Sequence, residues 1–412
     1  MAFSYQHKTL HCGQVSLADI AASAGTPCYV YSADDILERY HAYDQAFGDH
    51  PHQVCYAVKA NSNLSLLRLL AAAGAGFDIV SGGELYRVLQ AGGDPTKTVF
   101  AGVGKTSEEI EYALANKIHT FNCESEAELE LIDGLARKHG VTARAALRVN
   151  PDVDATTHPY ISTGLREHKF GVDISEVEAV YARAKRLGHI ALEGVSCHIG
   201  SQLLDTDPMM ETVDKMLALV GRLRSNGIPI RHLDLGGGLG VAYKPQDKAP
   251  SIAEVIGAIG RKVEGHDLEI MVEPGRSIVG AAGVLLTRVL FRKQTPRKEF
   301  IVVDAAMNDL IRPALYQSHH EIIPVEEPCE EQRMLADVVG PVCETGDFLA
   351  RNREMQAVLP GALMAVCTAG AYGFVLSSNY NSRPRVPEVL VEGATWRIIR
   401  RRETLEDLIR GE

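Results

Sequence analysis

Lys59 closes an apolar run, Cys55-Tyr56-Ala57-Val58, and Asn61, Ser62 and Asn63 follow it closely. Lysine is rarely buried without a reason. An amine held at the end of a buried strand is the group that condenses with an aldehyde. Other chemistry-bearing residues stand at comparable places, at the end of or just beyond short apolar runs. They are Asp78 in GFDIV, Arg148 in ALRVN, His198 in SCHIG, the triplet Gly236-Gly237-Gly238 after LDL, and Glu273-Pro274-Gly275-Arg276 after IMV. Singly, each has an ordinary reading. A strand-end lysine snorkels to water, and a lone histidine is a hydrogen-bonded structural residue. Three glycines make a turn, Arg148 caps a loop before Asn150-Pro151, and Asp78 caps a helix at VSGGE.

The elements around these residues change that balance. Between Gln53 and Gly275, short apolar or β-branched runs recur: HQVCYAVKA, GFDIV, TVFAG, HTFNC, ARAALRVN, LEGVSCHIG, RHLDLGGG and EIMVEPG. Segments with helical spacing separate most of them, among them NLSLLRLLAAAG, TSEEIEYALANK, EAELELIDGLARKHG and PMMETVDKMLALVGRLRSNG. Thr106-Ser107 and Ser125-Glu126 supply helix starts, and Gly74 and Gly140 supply stops. Strand–helix alternation implies parallel pairing through crossover helices. Eight such units match a closed (β/α)8 TIM-like barrel; an open doubly wound sheet is the alternative, but it needs no eighth unit. After Ser277 the texture turns to strands punctuated by Pro and Gly: AGVLLTRVLFRKQ, EFIVVDAAM, RMLADVVGPV, ALMAVCTAGAY and VPEVLVEGATWRIIRR. PCYVYS near the N-terminus precedes any barrel unit and joins this mostly β second domain. The expected division is a barrel over 30–280 and a β-rich domain made of 1–29 and 281–412. The segment STGLREHKFG, after the fifth strand, is a lid candidate.

Barrel enzymes work at the C-terminal ends of their strands. Lys59, Asp78, Arg148, His198, Gly236–Gly238 and Glu273–Arg276 therefore share one rim. Glycines let backbone N–H groups approach an anion closely, and barrels often hold phosphate at the loops after strands seven and eight. Here those loops are GGGLG and EPGRS. The pattern is not the G-x-G-x-x-G of dinucleotide folds. A lysine, a phosphate cup and a strand-end carboxylate together point to pyridoxal 5'-phosphate. Lys59 would bond covalently to the aldehyde, Glu273 would pair with the protonated pyridine nitrogen, and His198 would stack on the ring. A cationic ring is a strong electron sink.

YAVKAN at Lys59, HIGSQ at His198, GGGLG at Gly236, EPGR at Glu273 and GPVCETGDFL at Cys343 resemble the fold-type III pyridoxal-phosphate decarboxylases. VDAAMNDLIRPALY, Val303 to Tyr316, resembles the branch whose substrate carries a second amino-acid head, rather than the ornithine branch. The likeness runs from about Gly25 to Tyr380. Two small departures are Ala305-Ala306 before Met307 and His168 in LREHKFG. The resemblance implies a barrel joined to a β domain, and a homodimer whose two active sites lie at the interface. It implies that Asp78, Arg148 and His198 serve the cofactor. Ser201, Gly236, Gly237, Gly238, Gly275 and Arg276 would bind its phosphate. Arg276, Arg312 and Tyr316 would hold the substrate's distal carboxylate, Glu344 its distal ammonium, and Tyr372 would lie near both phosphate and substrate. Cys343, reaching in from the neighbouring subunit, would protonate the carbanion left by decarboxylation. Two arginines at one end of a substrate suit a carboxylate; a diamine precursor such as ornithine has none there.

Within the same class, decarboxylases of ornithine, arginine or carboxynorspermidine compete with this reading. An amino-acid racemase also joins a barrel lysine to a β domain, but such racemases pair the ring nitrogen with a weaker partner and use a tyrosine as second base; Glu273 and Cys343 oppose it. A non-catalytic homologue usually lacks the β domain or the lysine. Composition narrows the partners. The chain has 412 residues, enough for two domains. Its net charge of −11 makes nucleic acid and anionic membrane poor partners; a small amino-acid substrate is what the resemblance implies. Eight scattered cysteines, with no C-x-x-C pair, fit a reduced compartment better than a disulfide framework. No zinc-type spacing appears. The N-terminus, MAFSYQHKTLHCG, lacks a signal-peptide apolar region, and the expected location is the cytoplasm.

Overall fold

The computed structural model describes residues 2–154, 169–327 and 332–412. Ser162 to His168 of the lid candidate lie outside the described residues. Eight parallel strands form the barrel: β1 (His52–Ala57), β2 (Gly76–Ile79), β3 (Thr98–Phe100), β4 (Thr120–Cys123), β5 (Ala143–Asn150), β6 (Ile190–Cys197), β7 (His232–Asp234) and β8 (Glu269–Val272); a two-residue strand, Val172–Asp173, adds in parallel to the end of β5. The sheet closes on itself. β4 pairs with β5, Phe121 opposite Ala145, and β8 returns to β1, Ile270 opposite His52. This is the (β/α)8 barrel that the alternating pattern predicts.

The reason lies in the residues. A parallel strand is covered on both faces, so it reads as continuously apolar rather than alternating; all four residues of β2, including Asp78, are buried. Tyr56, Phe77 and Phe100 are fully buried, and Phe121 stacks on Phe100 at 6.1 Å between ring centroids. Helices return the chain between most strands, and their ends are specified locally. Thr106 forms a reciprocal capping box with Glu109, Ser125 accepts from the Glu128 N–H, and Gly140 ends its helix in the left-handed conformation. Asn63, in the polar triplet after Lys59, caps the helix Leu64–Ala72 by accepting from the Ser65 N–H.

The chain divides into two compact units. One comprises Arg39–Gly240 and Ala249–Gly275; the other comprises Met1–Glu38, Val241–Lys248 and Arg276–Glu412. The second is mostly sheet. Its longest strand, Gly283–Gln294, pairs antiparallel with Glu299–Val303, Leu363–Val366 and Cys28–Ser32. Cys28–Ser32, the PCYVYS segment, also pairs in parallel with Glu388–Glu392. An N-terminal sheet of Phe3–Gln6, Thr9–Cys12 and Val15–Ser16, followed by the helix Leu17–Ala24, packs on the same core through Leu10, Cys12, Leu17 and Ile20. Sequence reasoning did not register this hairpin. Its two-residue turn is His7-Lys8, both at positive φ (49° and 68°), without the Asn-Gly or Asp-Gly that usually signals such a turn. Among the described residues, no helix is long and apolar enough to cross a membrane.

Candidate active site

β1 stops at Ala57 and tightens into a single 3₁₀ turn, Val58–Ala60, which carries Lys59. Parallel register sets Ala57 opposite Asp78 of β2. The lysine two residues further on therefore meets that carboxylate, and its ammonium pairs with Asp78 Oδ2. Asp78 is fully buried, and Oδ1 has no hydrogen-bond partner among the described residues. Helix capping falls instead to Ser81, which accepts from the Glu84 N–H. The Ala57 N–H donates to the Pro274 carbonyl at 3.0 Å, stitching the end of β1 to the loop after β8. A Cβ on Gly275 would come within 2.9 Å of Ala60 Cβ, so this close approach needs a glycine.

The rim continues with carboxylates. Glu273 lies one residue beyond β8 and Asp234 ends β7; they are 8% and 0% exposed. Asn122, on β4, spans them: its Nδ2 donates to Asp234 Oδ2 at 2.8 Å and to Glu273 Oε1 at 3.3 Å. The Gly236 N–H donates to Asp234 Oδ1 at 2.9 Å. Desolvation pushes the Glu273 carboxyl well up, and the nearby charges of Asp234 and Asp78 add to it, while Lys59 opposes. Desolvation raises Asp234 as well. Three buried carboxylates thus face one lysine.

The glycine triplet owes its residue type to backbone crowding. A Cβ on Gly237 would lie 2.2 Å from the Glu273 carbonyl oxygen, and one on Gly238 would lie 2.5 Å from the Gly200 carbonyl oxygen. Gly236 and Gly238 also hold positive φ, 67° and 115°. The Gly237 N–H donates to His198 Nδ1 at 3.3 Å. Desolvation, with the charges of Arg148 and Lys59, drives His198 well below its ordinary pKa and keeps the ring neutral. Leu203, two residues past Ser201, pairs with the same loop through the Gly238 carbonyl at 2.9 Å. Arg148 Nη1 donates to Glu124 Oε1 at 2.8 Å, and its guanidinium lies 4.7 Å from the Phe170 ring.

In the other unit, Tyr243 gathers the expected cations. Arg276 Nη1 donates to the Tyr243 hydroxyl at 2.6 Å, and the Arg312 guanidinium sits 5.0 Å from the Tyr243 ring. Tyr372, held at φ 54°, faces Arg276 at 4.9 Å, and Tyr316 faces Arg312 at 6.0 Å. Arg312 is 5% exposed, and among the described residues no carboxylate comes within ion-pairing distance of it. Cys343 and Glu344 lie on an exposed loop. The Cys343 N–H donates to Asn381 Oδ1 at 2.8 Å, and the nearby Glu344 carboxylate raises the pKa of the Tyr380 phenol.

Sequence reasoning missed Asn122, Asp234, Tyr243 and His320. The first two were within reach of the strand-end rule: Asn122 ends HTFN and Asp234 ends RHLD, on the same rim. The arrangement fits pyridoxal phosphate. A buried cluster of Asp78, Asp234 and Glu273 against Lys59 calls for further positive charge, which a protonated pyridine nitrogen supplies, and the crowded glycine loop keeps side chains away from an anion.

Comparison with known proteins agrees. Residues 33–280 match the pyridoxal-dependent decarboxylase family, pyridoxal binding domain. The chain belongs to the pyridoxal-dependent decarboxylases, and it is a carboxy-lyase that uses pyridoxal phosphate. It is 55% identical over 410 residues to the diaminopimelate decarboxylase of Pseudomonas aeruginosa, covering 100% of this chain and 98% of that one. It is 52% identical to the diaminopimelate decarboxylase of Vibrio cholerae, covering 98% and 97%. The crystal structure of diaminopimelate decarboxylase from Helicobacter pylori complexed with L-lysine superposes with a TM-score of 0.92 at 42% identity, over 95% of this chain and 98% of that one.

Proposed function

We propose that this enzyme decarboxylates meso-2,6-diaminopimelate to L-lysine and carbon dioxide, the last step of lysine synthesis, in the cytoplasm. The observation that carries the substrate assignment is Arg312, a buried guanidinium with no carboxylate partner among the described residues. Burying an unpaired charge is costly, and a substrate carboxylate removes that cost. Diaminopimelate brings one at the end far from the reacting carbon; ornithine does not.

When bound, pyridoxal phosphate supplies the electron sink for the pair left on the α-carbon as carbon dioxide departs. The chain's own groups do the rest. Lys59 would hold the cofactor covalently. Glu273 would keep a proton on the pyridine nitrogen, with Asp78 beside Lys59. His198 would stack on the ring, and Arg148 would serve the cofactor. Ser201, Gly236, Gly237, Gly238, Gly275 and Arg276 hold the phosphate, with Tyr372 near it. Arg312, Tyr316 and Arg276 clamp the distal carboxylate, and Glu344 takes the distal ammonium. Cys343 delivers one proton to the α-carbon, since a thiol is a weak acid suited to that transfer.

Cys343 serves the neighbouring subunit of a homodimer in this reading. Its exposure supports that, as do Phe291 and Leu335, apolar side chains on two strands of the β-rich unit that are 66% and 59% exposed. The test of function is direct. Supply pyridoxal phosphate with diaminopimelate, ornithine, arginine, lysine or carboxynorspermidine, and measure carbon dioxide and the amine product. Diaminopimelate should be turned over and yield L-lysine. Faster turnover of ornithine or lysine would overturn the assignment.

A further inference from the structure

His320 sits directly behind Arg312. It is completely buried, and three contacts define its role. Arg312 Nε donates to His320 Nε2 at 3.3 Å, His320 Nδ1 lies 2.8 Å from the Cys367 carbonyl oxygen, and the Tyr243 ring meets the imidazole edge-on at 5.2 Å. Arginine has no hydrogen-bond acceptor, so Nε2 can only accept. A backbone carbonyl has no donor, so Nδ1 must carry the proton. The two neighbours leave one tautomer of the neutral ring and exclude the cation, whose second N–H would point at a guanidinium. Burial and the Arg312 charge push the imidazole down to about 3, in keeping with this.

The other anchor of the guanidinium is modest: Arg312 Nη2 donates to Ser318 Oγ at 3.2 Å. Both acceptors are neutral. A carboxylate at either place would also orient the fork, but it would neutralise the cation before substrate arrives. A neutral imidazole orients it and leaves its charge uncompensated.

We propose that His320 is a positioning residue for substrate selection, holding the Arg312 guanidinium towards the distal carboxylate of the substrate through a neutral acceptor nitrogen. The proposal rests on the assignment of Arg312 to that carboxylate. It leaves the uncompensated charge of Arg312 to the substrate and assigns His320 no part at the reacting carbon.

Two amides separate the ring's two contacts. In His320→Gln, Oε1 reaches about where Nε2 lies, so the Arg312 contact survives. In His320→Asn, the amide reaches only the Nδ1 position, so the Cys367 contact survives and the Arg312 contact is lost. Steady-state kinetics with diaminopimelate should show KM raised about tenfold to a hundredfold in His320→Asn, the worth of a hydrogen bond to a charged group, with kcat little changed. His320→Gln should recover most of that KM. Inhibition by L-lysine, which keeps the distal carboxylate, should weaken in His320→Asn in step with KM. Inhibition by 1,5-diaminopentane, which lacks it, should not change. A purely structural histidine predicts the reverse order of the two amides, because it needs only the Cys367 contact. His320→Met, of similar reach but with no nitrogen acceptor, replaces the asparagine variant should that one fail to fold.

Arg312→Ala separates the two levels of the argument. An unchanged KM in Arg312→Ala sinks the assignment of the distal carboxylate. A raised KM there, with a normal KM in His320→Asn or equal damage in the asparagine and glutamine variants, sinks the role of His320 alone. The double variant Arg312→Ala/His320→Asn should match Arg312→Ala, since residues acting through one contact are not additive.

Discussion

Lys59 and Glu273 stand two residues and one residue past their strands, so their backbones are set by the barrel while their side chains reach the rim. Reduction of the cofactor-loaded enzyme with borohydride, followed by peptide mapping, should leave the pyridoxyl label on the peptide containing Lys59; a label on another lysine refutes its role. Glu273 is buried and shares Asn122 with Asp234, so its charge is set by these close neighbours. Glu273→Gln should lower turnover on the order of a hundredfold, as loss of a preorganised charge partner does elsewhere. Cofactor occupancy, read from absorbance after gel filtration, should change far less, because the glycine loop remains. Near-normal turnover in that variant would contradict the pairing of Glu273 with the ring nitrogen.

At the scale of elements, β6 and β7 meet at the opposite end of the barrel through a buried histidine. His232 opens β7 and is 1% exposed, and neither ring nitrogen has a partner among the described residues. Gly194 of β6 is required there, since a Cβ would fall 1.8 Å from His232 Nε2. Desolvation, helped by His119 and Arg144, drives the His232 imidazole down to about 3. Unfolded, it takes up a proton near its ordinary value of about 6.5. Between those values the unfolded chain binds more protons, so stability falls as pH drops below the unfolded value, by up to about 1.4 kcal/mol per pH unit for this group. His320, also pushed down to about 3, acts in the same sense. Urea unfolding across this window should show a shallower acid slope in His232→Phe than in the unaltered protein. An identical slope would mean that the buried ring does not resist protonation.

At the scale of the whole molecule, the proposed homodimer makes two equal composite sites under two-fold symmetry. Lys59→Ala homodimers lack the amine at both sites, and Cys343→Ala homodimers lack the proton donor at both. After subunit exchange, a mixed dimer has one site with both defects and one with neither. Random exchange makes half the dimers mixed, so activity should return to about a quarter of the unaltered level. Exchange verified by differently tagged subunits, without recovery, would show that Cys343 serves its own chain.

The barrel, its eight strands and the rim that carries Lys59, Asp78, His198, the glycine triplet and Glu273 were determined by the sequence alone. Parallel strands joined by crossover helices all point one way, so a residue's place at a strand end already names its rim. Capping at Thr106, Ser125 and Gly140 was legible for the same reason, since each depends on neighbours a few residues away. The partners on that rim were decided by tertiary structure. Asn122 meets Asp234 and Glu273 from 112 and 151 residues away. The same holds within the other unit, where Tyr243 joins Arg276 to Arg312 and His320 takes its tautomer from Arg312 and Cys367. A hydrogen bond acts over about 3 Å of space, and the periodicity of one segment carries no information about which distant segment arrives within that distance.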